Sequence, residues 1–379
     1  MIPRLIIQPV EVDDEDEDEL LKIVRTRSGY ILNDSARAID LNLGQRGTEA
    51  TGKLFHYVAD LVASGGKDLF ARLCYEHAID HIGISSPRIF HYLRGRIQDL
   101  DRDAAMQTTE GFYSSLEVQR GVGEMCLVMQ LCPRRPKVKI PIIDSKTHRN
   151  DDWLRSVLRS PESLAVKKVY SPTADQRQMF HAANEMVAAI GSGELERAIF
   201  WFKWLLEEDA MVRKEFKGPG LSTLDRGPPG GKGKNNCGFF MSNVLAEAYK
   251  ELAARGSIKM HEEAQTLLDL YRTADKRLTA RRRTELLYTF LQMLTEVPRL
   301  RVQSAPQLVK DPIALTRAVD QMPLFFKEVL VYPPIVKSMP TSVSKAPPKR
   351  PKEKTAATVI DEKQAAYEEA MTRYMDRMR

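Results

Sequence analysis

A mainly α-helical protein is what this sequence predicts: two helical bundles with an extended basic connector and disordered charged termini. Three observations carry that expectation. Apolar residues recur at helical spacing in segment after segment. Serine, glycine and proline fall where helices start and stop. Runs of charge that cannot pack lie towards both ends. Hydrophobic residues make up 43% of the 379 residues, enough for a real core.

Residues 1–33 read as an acidic, flexible N-terminal segment. MIPRLIIQPVEV could form a short strand, and eight carboxylates then lie between Glu11 and Glu19. Such a run is usually solvated, and its functional alternative is a lure for a basic partner or for the chain's own basic patches. Residues 34–132 read as the first helical domain. Asp34 or Ser35 can cap its first helix, and Leu54, Phe55, Tyr57, Val58, Leu61 and Val62 form a stripe ended by Ser64-Gly65-Gly66. A helix runs from Leu69 to Gly83, and another opens at Ser85-Ser86-Pro87 and turns Ile89, Phe90, Leu93 and Ile97 inward. A helix over 112–131 is expected to bury Leu116, Val118, Val122, Met125, Leu127 and Val128.

The proline-punctuated stretch 133–172 reads as a basic extended connector. Residues 173–300 read as a second helical domain, with helices at 176–190, 194–216, 239–255, 258–274 and 276–296. The 194–216 helix carries Ile199, Phe200, Trp201, Phe202, Trp204 and Leu205, which leave little polar face, so it belongs at the centre of a core. Residues 301–344 read as an irregular segment with a short helix after Asp311-Pro312 and an apolar patch. Residues 345–359 are a Pro/Lys-rich linker. Residues 360–379 form an amphipathic C-terminal helix whose Tyr367, Met371, Tyr374, Met375 and Met378 share one face, a surface for a protein partner.

No disulfide framework is expected from Cys74, Cys126, Cys132 and Cys237, which form no CxxC pair and read as reduced, buried thiols. The N-terminal apolar run is too short for a signal peptide, and no window approaches the ~20 apolar residues of a membrane span. The chain is therefore expected to be intracellular, not secreted and without a membrane partner.

No catalytic signature stands out: GxSxG, HRD and DFG are missing from the sequence. The carboxylates Glu207-Glu208-Asp209 read as the exposed end of a helix. His77 and His81, spaced i and i+4 with His91 nearby, could share a metal, but the pattern lacks a third ligand signature, so they read as surface histidines. Neither a metal nor a cofactor is assigned. The segment 217–238 holds seven glycines and three prolines, and Lys232 and Lys234 within it could touch phosphates. It lacks Walker spacing, so the hinge between two helices is the expected reading over a nucleotide site.

The basic segments carry the functional lead. Ten Lys or Arg face four Asp or Glu between Arg134 and Lys168, among them Arg134, Arg135, Lys137 and Lys139. Six face one acid between Arg272 and Arg283: Arg272, Lys276, Arg277, Arg281, Arg282 and Arg283. Such clusters can track nucleic-acid phosphates through counterion release, or can be a solvated face paired with nearby acids. No aromatic ladder interleaves them, so base stacking is not expected.

Several segments, HIGISSPRIFHYL, GFYSSLEVQRGVGEM, QLCPRR and above all ERAIFWFKWLLEEDAMVRKE, resemble uncharacterised proteins of large nucleocytoplasmic DNA viruses. In that family a helix of the type W-x-x-W-hydrophobic-hydrophobic-E recurs, and Phe200–Glu207 with Trp201 and Trp204 is its counterpart here. The resemblance covers about half the chain and carries no active-site residue. It implies a viral protein of infected-cell cytoplasm, a replication site or a particle. The expected function is a non-catalytic helical scaffold or accessory protein that binds a protein partner and nucleic acid. The alternatives are a structural component of a viral particle and a helical enzyme that holds a phosphorylated ligand at the glycine-rich loop.

Overall fold

The computed structural model describes residues 24–334 apart from 145, 229–235, 257–261, 274, 276, 301–307 and 310. These residues are mainly α-helical and contain no strand; the only β pairings among them are two isolated bridges, Arg25 with Ile31 and Asp175 with Ser222. No described helix is long and apolar enough to cross a membrane. All four cysteines are free and buried.

The first group of helices is α1 (Leu32–Leu43), α2 (Thr48–Ala63), α3 (Lys67–His77), α4 (Arg88–Met106), α5 (Thr109–Ser114) and α6 (Leu116–Leu131). Helix α1 starts after Ile31 with no side-chain cap, so neither Asp34 nor Ser35 has the role expected of it. Helix α2 stops where Gly65 enters the left-handed region at φ +89°, a conformation that a Cβ disfavours. A π turn over Ala78–Ile82 follows α3 and ends at Gly83. The helix expected over 112–131 is two helices, because Ser115 leaves helical geometry and caps α6 by accepting from the Val118 N–H. That break turns Leu116 outward, against expectation.

The connector has no regular structure over 133–144, but its second half adds two short helices, α7 (Asp151–Val157) and α8 (Leu164–Val169). Each has a polar cap that the proline count had obscured: Asn150 for α7 and Ser163 for α8. Helices α9 (Arg177–Ser192), α10 (Leu195–Phe216), α11 (Cys237–Ala254), α12 (Glu262–Arg272) and α13 (Ala280–Leu300) complete the second group.

Helix α10 buries Ile199, Trp201, Phe202, Trp204 and Leu205, as its composition requires. It packs on α9 and α13, where the Phe202 and Tyr288 rings meet edge to face at 4.9 Å. Helix α13 also touches α11, α12 and the π turn, and α12 packs on α4 through Arg94–Asp269 at 2.9 Å. The last described residues return to the first group. Helices α14 (Pro312–Val319) and α15 (Met322–Val329) pack on α6, and α15 also on α2. Asp311 caps α14 with Pro312 in its first turn, as expected, while the apolar patch beyond is helical. Gly123 of α6 admits Met322 so closely that a Cβ would lie 2.9 Å from the Met322 Cβ.

Candidate nucleic-acid interface

Most of the basic residues singled out by the sequence are tied to partners within the fold. Arg134 donates to the Leu43 and Gly44 carbonyls and so closes the C-terminal end of α1. Arg135 forks onto Glu296 at 2.7 and 3.2 Å. Lys137 reaches Asp80 at 2.8 Å and Glu285 at 3.1 Å. Arg282 forks onto the same Asp80 at 2.8 and 2.9 Å and meets Glu285 at 2.6 Å. Burial alone would raise the pKa of Asp80, but hydrogen bonds from Arg282 and Lys137 outweigh it and hold the carboxyl below its usual range.

Arg277 is only 8% exposed and gathers Asp101 at 2.7 and 2.8 Å, Asp68 at 2.7 Å and Asp275 at 3.3 Å. It ties the α12–α13 junction to α3 and α4. Arg283 donates to the Tyr271 carbonyl at 3.5 Å. Lys139 is exposed, and Arg281 is 89% exposed with Glu285 at 3.7 Å. Lys232, Lys234 and Lys276 lie outside the described residues, as do Tyr367, Met371, Tyr374, Met375 and Met378.

A different arrangement surrounds Arg272. An open groove of about 680 Å³ runs between α8, the 222–226 loop, α11 and α12. Along α11 it is lined by Asn243, Ala246, Glu247 and Lys250, spaced i, i+3, i+4 and i+7 on one helix face. Helix α8 contributes Lys168, held in place because Ala165 and Val166 are fully buried beneath it. The loop contributes Leu224 and Arg226, and α12 contributes Gln265 and Arg272.

The four cations of this groove differ in how far they are neutralised. Arg226 forks onto the buried Asp175 at 2.5 and 2.9 Å and lies 5.2 Å from the Phe240 ring centre. Lys168 and Lys250 share Glu247, at 3.3 and 2.6 Å. Arg272 is half-buried, and its hydrogen-bond partners among the described residues are neutral: Asn243 Oδ1 at 2.8 Å and the Ser242 carbonyl at 3.4 Å. Burial pulls its pKa down, with Asp269 acting the other way, while Asp269 itself is held by Arg94 and Gln265. Removing a guanidinium from water without a carboxylate beside it is costly unless an anion arrives.

The loop side of the groove is fixed by two buried carboxylates that periodicity could not reveal. Asp209, expected at an exposed helix end, is buried instead and accepts from the Leu221 N–H at 2.8 Å and the Cys237 N–H at 3.3 Å. One side chain thus closes the base of the glycine-rich segment. Gly220, at φ +84°, passes so near that a Cβ would fall 2.2 Å from Asp209 Oδ1. Asp175 holds Ser222 at 2.6 Å along with Arg226. Glu208 is buried as well, beside Arg149 at 2.7 Å.

Of the histidine pair, His81 is exposed as expected and His77 is not. His77 is 1% exposed, with Nδ1 3.3 Å from Asp40 and its ring 4.6 Å from that of His81. Burial lowers its pKa, partly offset by the Asp40 hydrogen bond. Among the described residues no group of three His, Cys, Asp or Glu side chains is placed to hold a metal ion. Comparison with known protein families, curated proteins and solved structures gave no match.

Of the groove's cations, Arg272 belongs to the basic cluster expected at 272–283 and Lys168 closes the basic run from Arg134, while Arg226 and Lys250 lie in neither. The signal available for Lys250 was the polar i, i+4, i+7 face formed by Asn243, Glu247 and Lys250 on a mostly apolar helix. It says where a surface is, not which other elements complete it.

Proposed function

We propose that this protein is a non-catalytic helical accessory protein that receives the phosphate backbone of nucleic acid in the groove between α8, α11 and α12. The observation that carries the reading is Arg272, a half-buried cation with neutral partners in a groove whose lysines share a single carboxylate. Asn243 to Lys250 spans about 10 Å of helix at ~1.5 Å per residue, room for more than one phosphate. Among the described residues no aromatic side chain lines the groove, so it offers no surface there for stacking bases.

Fluorescence anisotropy of labelled single-stranded and duplex DNA and RNA tests this at about 50 and about 200 mM salt, a range over which phosphate contacts weaken strongly. Binding should fall steeply with salt and ignore base sequence. Changing Lys168, Lys250 and Arg272 together to Gln should remove it. Saturable binding of a mononucleotide without any binding of strands would favour a phosphorylated small ligand instead. No binding at low salt would overturn the reading.

A further inference from the structure

Glu247 lines the groove and meets two of its four cations. Its Oε1 accepts from Lys250 Nζ at 2.6 Å and its Oε2 is 3.3 Å from Lys168 Nζ. One lysine is on α11 and the other on α8, so the carboxylate bridges the two walls. Two acceptor oxygens shared between two ammonium groups is the arrangement a phosphate would adopt at the same place. The hydrogen bond from Lys250, then that from Lys168, outweigh burial and hold the Glu247 carboxyl below its usual range, so it stays charged at neutral pH.

We infer that Glu247 is a built-in competitor for the ligand: an internal anion that occupies Lys168 and Lys250 until a phosphate displaces it. This rests on the phosphate-binding reading of the groove. The carboxylate is part of the same helix, so its local concentration is fixed and only a polyanion with several simultaneous contacts competes well. Glu247 therefore sets the affinity and favours strands over single phosphates. Arg272, which Glu247 does not engage, remains the open first contact.

The test uses the full chain, a labelled oligo-dT strand of about 20 nucleotides, long enough to cover a single-strand site, and anisotropy at low salt. Glu247→Gln keeps the shape and removes the charge. Glu251→Gln removes the same charge one turn away on α11, where the side chain faces Arg255 at 3.8 Å and does not line the groove. Glu247→Gln should tighten strand binding about tenfold, and Glu251→Gln no more than about twofold, as expected when a specific pair rather than net charge is involved. Adding Lys168→Ala should cost more in the Glu247→Gln protein than in the wild type, because the lysine is then released for the ligand. Wild-type binding left unchanged by Glu247→Gln, or raised equally by Glu251→Gln, would overturn the inference and leave the groove reading intact. No binding by either protein would overturn both.

Discussion

Two basic regions of this molecule have opposite electrostatic fates. Around α13, Lys137, Arg277 and Arg282 are met by Asp68, Asp80, Asp101, Asp275 and Glu285, contributed by several different elements. Around α11, Lys168 and Lys250 share one carboxylate, Glu247, in an open groove, and Arg272 hydrogen-bonds to Asn243 and the Ser242 carbonyl. The first region uses its charge to fasten helices, and in the second two lysines divide one carboxylate between them. A run of arginines in a sequence thus reports only supply; whether any is left over depends on which acids the fold brings alongside.

The difference can be broken experimentally, beginning with the largest effect. Arg277→Ala would leave Asp68, Asp101 and Asp275 facing one another without their shared cation. It should destabilise the protein by about 3 kcal/mol, the range for removing one partner of a buried ion pair, as read by denaturant unfolding. Full stability in that variant would mean that the knot is ornamental. Next, Gly123→Val should cost about 1–3 kcal/mol by overpacking against Met322, with little change in strand binding.

Arg272→Gln should weaken strand binding about tenfold, as for loss of one charge-assisted phosphate contact, while thermal stability changes little. A fall in stability without a change in binding would reverse the roles assigned to the two regions.

Acid sharpens the comparison further. The carboxyls of Asp80 and Asp101 are held below their usual range by Arg282 and Lys137, and by Lys67 and Arg277, against the opposing effect of burial. Their contribution to stability is complete above the unfolded value of about 3.9 and is lost as pH falls through the lower folded values. Acid unfolding should therefore steepen below about pH 4, and Asp80→Asn should blunt it. The smallest effect belongs to His77. Its depressed folded pKa means that the unfolded chain takes up the proton first, so stability begins to fall as pH drops below the unfolded value of about 6.5. His77→Gln should flatten the melting temperature between pH 7 and pH 5.

The sequence was most informative where the physics is local. Helices α9 and α10 fall within a residue or two of their expected bounds, because periodicity and the left-handed Gly193 that ends α9 are written in consecutive residues. The Asp311-Pro312 start of α14 was legible for the same reason. Information that resides in tertiary pairing was not legible. Nothing near Asp209 in the chain shows that it will be buried against the Leu221 and Cys237 N–H groups, and nothing near His77 announces Asp40. The groove draws on α8, α11, α12 and a loop, so two of its four cations, Arg226 and Lys250, lie outside any cluster of charge in the sequence. The expected clusters contributed Lys168 and Arg272 and otherwise supplied mainly the internal knot.

On the proposed function the groove, and not the arginine-rich start of α13, meets the phosphates. The salt dependence of strand binding tests it most directly, in wild type, in Lys168→Gln/Arg272→Gln and in Arg281→Gln. The slope of log K against log salt should fall by about 1.4 for the double groove variant, at ~0.7 per single-strand phosphate contact, and stay at the wild-type value for Arg281→Gln. A slope lowered by Arg281→Gln and untouched by the groove variant would contradict the account.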